Sequence, residues 1–165
     1  FHRAVAHVPR PSFLDHREDA WSVADRVVWG EGEITHHPRI APVVDRLRGV
    51  LHPVAATSQL IHGDFGGNVL FAPGLDPAVI DLSPYWRPVP FAIGVVVADA
   101  IVWEGAGLSL MAAGEPFDDF IQHLARAELR RIIELEVAQR MYGWDAVREI
   151  DAHLNLVDAI CAAAA

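Results

Sequence analysis

Lysine is missing from all 165 residues, so the 13 basic side chains are all arginine. Without lysine there can be no Walker-type phosphate loop, whose pattern needs that ammonium on the phosphates. No Gly-x-Ser-x-Gly elbow occurs either, which disfavours a serine hydrolase. Cysteine is nearly absent: Cys161 stands alone and cannot close an internal disulfide, which makes a reducing, cytoplasmic setting the default. No apolar run reaches the length of a membrane span. The first twenty residues carry prolines and charges where a signal peptide needs an apolar stretch. Positive charge is also scarce, with 13 basic against 22 acidic residues and a net charge of −9. Phosphate backbones and anionic lipids select basic faces, so nucleic acid and membrane surfaces are not expected partners. A cationic ligand would be attracted.

What is present suits one domain: 52% of the residues are hydrophobic, enough for an ordinary core. The chain opens on Phe1 rather than Met and is read as a segment of something longer. Phe1–Pro11 reads as an irregular lead-in. From Asp15 onward, Ala20, Val23, Ala24, Val27 and Val28 recur at helical spacing and predict a helix that stops at Gly30. Pro38 predicts the opening of a second helix, a favoured first-turn position, running through Leu47 towards Pro53. The adjacent His36 and His37 have no acidic partner at ligand spacing, so no metal is assigned to them. Ser83–Pro90 reads as a stiff loop with three prolines. Phe91–Trp103 predicts a buried helix whose one interior charge, Asp99, is either paired in the core or turned to an edge. A break follows at Gly105–Gly114. A long helix is predicted from about Phe117 to Met141, capped by Asp118 or Glu115 and ended by Gly143. Its Glu128, Arg130, Arg131 and Glu134 read as intrahelical pairs worth about a few tenths of a kcal/mol each. The last helix is predicted from Asp145 to about Ala159, with a frayed tail.

Gln59–Leu82 carries the chemistry. Val69–Phe71 and Ala78–Ile80 have the length and β-branched content of short buried strands, joined through Pro73-Gly74 as a hairpin. That hairpin would bring Asn68 and Asp81 close together, with Asp64 on the loop beside them. Two carboxylates and an amide can hold a hard cation through oxygen. Gly63, Gly66 and Gly67 let the backbone turn tightly and a ligand approach closely.

The run His62-Gly63-Asp64-Phe65-Gly66-Gly67-Asn68, followed by Asp81 in Val-Ile-Asp-Leu, resembles the catalytic segment of the aminoglycoside phosphotransferase family. That family includes choline kinases and shares the protein-kinase-like fold. The resemblance implies a mostly α (α+β) architecture: the C-terminal catalytic lobe of that fold, a helical bundle around a small β-hairpin. By this likeness residues 1–165 form a single domain, with 58–83 the catalytic loop and metal-loop hairpin. It implies that Asp64 is the catalytic base for a substrate hydroxyl. Asn68 and Asp81 would hold magnesium against the phosphates of ATP, with His62 and Gly63 structural at the site.

Two departures accompany the likeness. Asn68 follows Asp64 by four residues where the family loop has five. Phe1–Leu60 is helical in pattern and offers no lysine-bearing strand and no glycine-rich turn. ATP and magnesium are therefore expected to bind only with an N-terminal nucleotide lobe supplied in cis, and this segment alone is expected to be inactive. The surface where that lobe would dock is expected to support self-association. Other readings are a non-catalytic kinase-like interaction module, or a metal-dependent hydrolase using His62 and Asp64 with His52 or His123. Arg87 and Trp86 could meet a phosphate or stack on a substrate ring, or simply pin the proline-rich loop. Glu115, Asp118 and Asp119 could meet a cationic substrate or serve as a helix start.

Overall fold

In the computed structural model, which describes residues 1–165, the chain is mostly helical with two small antiparallel two-stranded sheets. At its centre lies α5 (Phe120–Tyr142), which packs against α2 (Ala20–Val28), α3 (Ala41–Gly49), α4 (Val89–Val102) and α6 (Ala146–Ala163). Surrounded in this way, α5 is buried from Gln122 through Ala138 on every side. Its apolar residues Leu124, Leu129, Ile132 and Ile133 lock the main core together with Leu47, Leu156 and Ile160. A four-residue helix α1 (His2–Val5) and a short tight turn at Ser12–His16 replace the irregular lead-in expected there.

Helix boundaries follow local chemistry more closely than periodicity did. The first long helix starts at Ala20 rather than Asp15, because the Asp19 carboxylate accepts from the Ser22 amide at 2.9 Å and caps it. It ends where Gly30 takes a left-handed φ of 75°. The second begins at Ala41 rather than Pro38: residues 38–40 form a turn closed on the His37 carbonyl, and Pro42 is the proline in the first turn. The central helix starts three residues later than expected, with neither Asp118 nor Glu115 at the cap. Asp119 holds that position in a left-handed conformation (φ 54°) with no side-chain bond. Gly143 does terminate the helix, at φ 78°. The last helix, capped by Asp145 on the Arg148 amide at 3.1 Å, runs to Ala163, so Cys161 and its neighbours are helical rather than frayed.

Gly94 explains how closely α4 lies on α5. A Cβ there would stand 3.1 Å from the His123 carbonyl oxygen and 3.2 Å from the Leu124 Cα. Beneath it the His123 side chain is fully buried and neither ring nitrogen has a partner. Burial, with Arg126 nearby, pushes its pKa down to about 4. His2 is lowered to about 4 as well, by burial first.

A histidine in the unfolded chain protonates near pH 6.5, whereas folded His123 does so only near pH 4. The unfolded state therefore binds more protons inside that window, and stability is lost as the pH falls through it. The urea midpoint is expected to decline between those two pH values. His123→Phe should flatten the decline to the share carried by His2; an equally steep decline in the variant would refute this account.

Candidate functional site

The site is built where one sheet hands over to the other. Strands β1 (Ser58–His62) and β4 (Pro84–Pro88) pair antiparallel with His62 opposite Pro84. The Gly63 amide then donates to the Ser83 carbonyl at 2.8 Å. β4 occupies the stretch expected to be a loop. Its prolines fall at the two ends, where a missing N–H costs the ladder little. Between these paired strands the chain makes an excursion through the loop 63–68 and the hairpin β2 (Val69–Leu70) and β3 (Ala78–Val79), with Val69 opposite Val79. The Ile80 amide donates to the Asn68 carbonyl at 3.0 Å. Segments 63–68 and 80–83 are thus tied together at both ends, which sets Asp64, Asn68 and Asp81 around one short span of backbone.

His62 holds this span from inside. It is fully buried; its Nδ1 accepts from the Asp64 amide (3.1 Å), which leaves the Nε2 proton to donate to the Ile80 carbonyl (3.3 Å). Phe65 stacks on the imidazole at 4.6 Å between ring centres. The Asn68 amide nitrogen donates to the Asp64 carbonyl at 2.8 Å, and its side-chain oxygen bonds to nothing. Asp81 is exposed, makes no hydrogen bond or ion pair, and sits at φ 47°, a left-handed conformation that aspartate tolerates better than most residues. Gly63 is needed for space: a Cβ there would lie 2.5 Å from Tyr85 Cδ2.

The hairpin strands are shorter than expected, two residues each, and they are not buried. Leu70, Phe71, Leu75, Ile80 and Leu82 are all more than 40% exposed, Phe71 as much as 78%. With no third strand and nothing packed over it, a hairpin of this length cannot hide its own side chains. Five apolar groups therefore line a protruding flap beside Asp81.

The residues that fix Asp64 lie far away in sequence, on α5. Arg131 reaches Asp64 Oδ1 at 3.0 Å through Nη2, while its Nε donates to Asp99 Oδ1 at 2.8 Å and its Nη1 to Glu134 at 3.1 Å. Asp99 is thus paired in the core, and Arg131 also lies over the Trp103 ring at 5.8 Å. Burial works against the Arg131 charge, but Glu134, Asp99 and Asp64 together raise its pKa above the ordinary guanidinium value. Asp64 Oδ2 accepts no hydrogen bond. One residue earlier, Arg130 donates to the Gly63 carbonyl and to the Tyr85 hydroxyl, each at 3.0 Å. Arg17 and Arg130 stand over the Tyr85 ring at 5.0 and 4.6 Å.

The expected intrahelical pairs survive only in part. Arg130 and Arg131 both meet Glu134, but all three are buried, and Glu128 turns instead to His153 Nδ1 at 2.7 Å in a fully enclosed pair. The absence of an acidic partner for His36 is also overturned, because Glu136, a hundred residues away, binds its Nδ1 at 2.5 Å. Arg87 is not free for a phosphate: it bonds Asp25 at 2.9 Å and Glu31 at 2.7 Å, fastening β4 to α2.

For magnesium the donor set is chemically suited, with hard oxygens on Asp81 and on Asn68, neither engaged elsewhere. No group of three or more His, Cys, Asp or Glu side chains is gathered as a metal cluster. His62 spends both nitrogens on backbone, which leaves it no lone pair for zinc. His52 bonds its own neighbour, Pro53, and His123 is enclosed on α5. No helix is long and apolar enough to cross a membrane. Among known proteins, no family model, no curated protein and no solved structure matches this chain.

Arg131→Met strands the buried Asp99 carboxylate and is expected to cost about 3–5 kcal/mol in urea unfolding. The double replacement Arg131→Met with Asp99→Leu should recover most of that loss. A single variant within about 0.5 kcal/mol of the parent would show that the pair does not hold the loop.

Proposed function

We propose that this chain is the catalytic lobe of a small-molecule kinase of the aminoglycoside phosphotransferase type, transferring a phosphoryl group to a substrate hydroxyl. The observation that carries the reading is the double tether of segments 63–68 and 80–83, by Gly63 to Ser83 and by Asn68 to Ile80, around Asp64, Asn68 and Asp81. It supports a shared site even though the loop is one residue short.

Asp64 is the base. Arg131 fixes its Oδ1, so the free Oδ2 is the oxygen that accepts the proton of the incoming hydroxyl as that oxygen attacks phosphorus. The carboxylate is 43% exposed, open enough for a substrate to reach it. Arg130 and Tyr85 keep the start of the loop from shifting, and His62 keeps the Asp64 amide aligned with the hairpin. The short turn closed by the Asn68 amide on the Phe65 carbonyl, with Gly67 at φ 71°, delivers Asn68 despite the missing residue. Magnesium held by the Asn68 oxygen and the Asp81 carboxylate would neutralise charge on the nucleotide phosphates. The lysine that such a reaction places on those phosphates must come from outside these residues, which contain none. The exposed apolar flap is the face we assign to a nucleotide lobe in cis.

Joined to a nucleotide lobe and with ATP present, the chain is expected to show manganese, a paramagnetic substitute for magnesium, broadening the amide signals of residues 64–68 and 80–82 selectively. Asp81→Ala should abolish that broadening and Glu115→Ala should not. Joined to a nucleotide lobe, Asp64→Asn should lower turnover by about 10²–10⁴-fold, the usual share of a general base. Broadening centred elsewhere, or full turnover without the carboxylate, would end the proposal.

A further inference from the structure

A second polar site lies at the other end of α5, independent of the Asp64 loop. Thr35, His36, His37, Glu136, Gln139 and Arg140 enclose a cavity of about 180 Å³ between the α2–α3 connection and the last turns of α5. None of the six is apolar. At about 30 Å³ per water, the space equals roughly six waters, room for one oxyanion with part of its hydration. Arg140 follows Arg131 by nine residues, roughly 14 Å along the helix at 1.5 Å per residue.

The hydrogen bonding in this cavity is lopsided. Glu136, with a side chain 3% exposed, already accepts through both oxygens, from His36 Nδ1 at 2.5 Å and from the His37 amide at 2.6 Å. His37 Nδ1 accepts from the Arg39 amide at 3.2 Å, which puts that ring's proton on Nε2. Gln139 Oε1 accepts from the Ala146 amide at 2.9 Å, leaving its NH₂ unclaimed. The Thr35 carbonyl is taken by Arg140 Nη2, and the other guanidinium N–H groups are free. His36, its side chain 8% exposed, has an enclosed Nε2 with no partner at all. What remains around the space is a set of donors beside the enclosed His36 ring: His37 Nε2–H, the Gln139 amide and the Arg140 guanidinium. Glu136 spends its carboxylate on His36 and His37, so the Arg140 guanidinium is the charge left open to a ligand.

We propose that this cavity binds a small tetrahedral oxyanion, either inorganic phosphate or the phosphoryl end of a small phosphate ester. Three donors on one wholly polar lining lack acceptors, and an oxyanion offers several acceptors at once. A cation would find both Glu136 oxygens in use and Arg140 at the mouth.

The test is calorimetric titration of the full 165-residue chain with inorganic phosphate, with glycerol phosphate and acetate as separate arms, alongside ¹⁵N shifts of the histidine rings. Saturable one-to-one binding of phosphate is expected, with a shift of the His36 ring. Arg140→Gln should weaken it about tenfold or more, the worth of one charge-assisted hydrogen bond, and His36→Gln, which removes the ring that lines the space, should weaken it as well. Arg148→Gln, an exposed arginine outside the cavity, should leave it unchanged. Glycerol phosphate binding as tightly as phosphate identifies an ester as the ligand class; binding of phosphate alone identifies the free ion. The proposal is overturned by a folded chain that shows neither saturable heat nor a ring shift, by an Arg140→Gln variant of unchanged affinity, or by acetate binding as tightly as phosphate. Because Arg140 is exposed, its variant tests the site even if His36→Gln does not fold.

Discussion

A helix buried on all sides has no solvent to which it can turn its charges, and α5 carries six of them inside the fold: Arg126, Glu128, Arg130, Arg131, Glu134 and Glu136. Each must find a partner within the protein or impose the cost of an isolated charge in a poorly polarisable medium. The partners come from several surrounding elements. Arg126 bonds the His52 carbonyl, Glu128 pairs with His153 of α6, and Arg130 holds Gly63 and Tyr85. Arg131 gathers Asp64 and Asp99, and Glu136 fixes the segment at His36–His37. The candidate site and the polar cavity at His36 are therefore two outlets of one constraint. Each is a place where a peripheral loop answers a charge planted in the central helix.

This constraint also explains which parts of the structure were legible in the sequence. The apolar stripe of Ala20–Val28, the dense apolar run of α4 and the Gly143 stop could all be read, because periodicity and a left-handed glycine act locally. The hairpin and the tether of its flanks were legible too, since those segments are close in the chain. Arg131 was read as one member of a surface pair because charges at spacings of three and four usually are. Nothing within α5 marks that face as buried, since the cover comes from α2 and α4; even Asp99, the partner of Arg131, lies 32 residues away. The same holds for Glu136 and His36. The β4 strand was hidden by its own prolines, which suit a strand only when they fall at its ends.

The flap shows the opposite error. Its β-branched and aromatic content looked like that of buried strands, yet burial depends on what lies above a residue as much as on the residue itself. Val69 and Val79 satisfy one ladder and leave Leu70, Phe71 and Leu75 facing outward. An apolar surface of this kind at the rim of a polar site is common where two parts of a protein meet.

The two ladders belong to separate sheets, and only the 63–68 and 80–83 segments join them. Asp64 is anchored on the inner side of that junction by Arg131, whereas Asp81 rides on the outer side with no side-chain bond of its own. Asp64 is therefore held, and Asp81 is free to move with the flap. Tilting of the flap would change the gap between Asp81 and Asn68 while leaving Asp64 where it stands, so the two carboxylates answer to different parts of the fold.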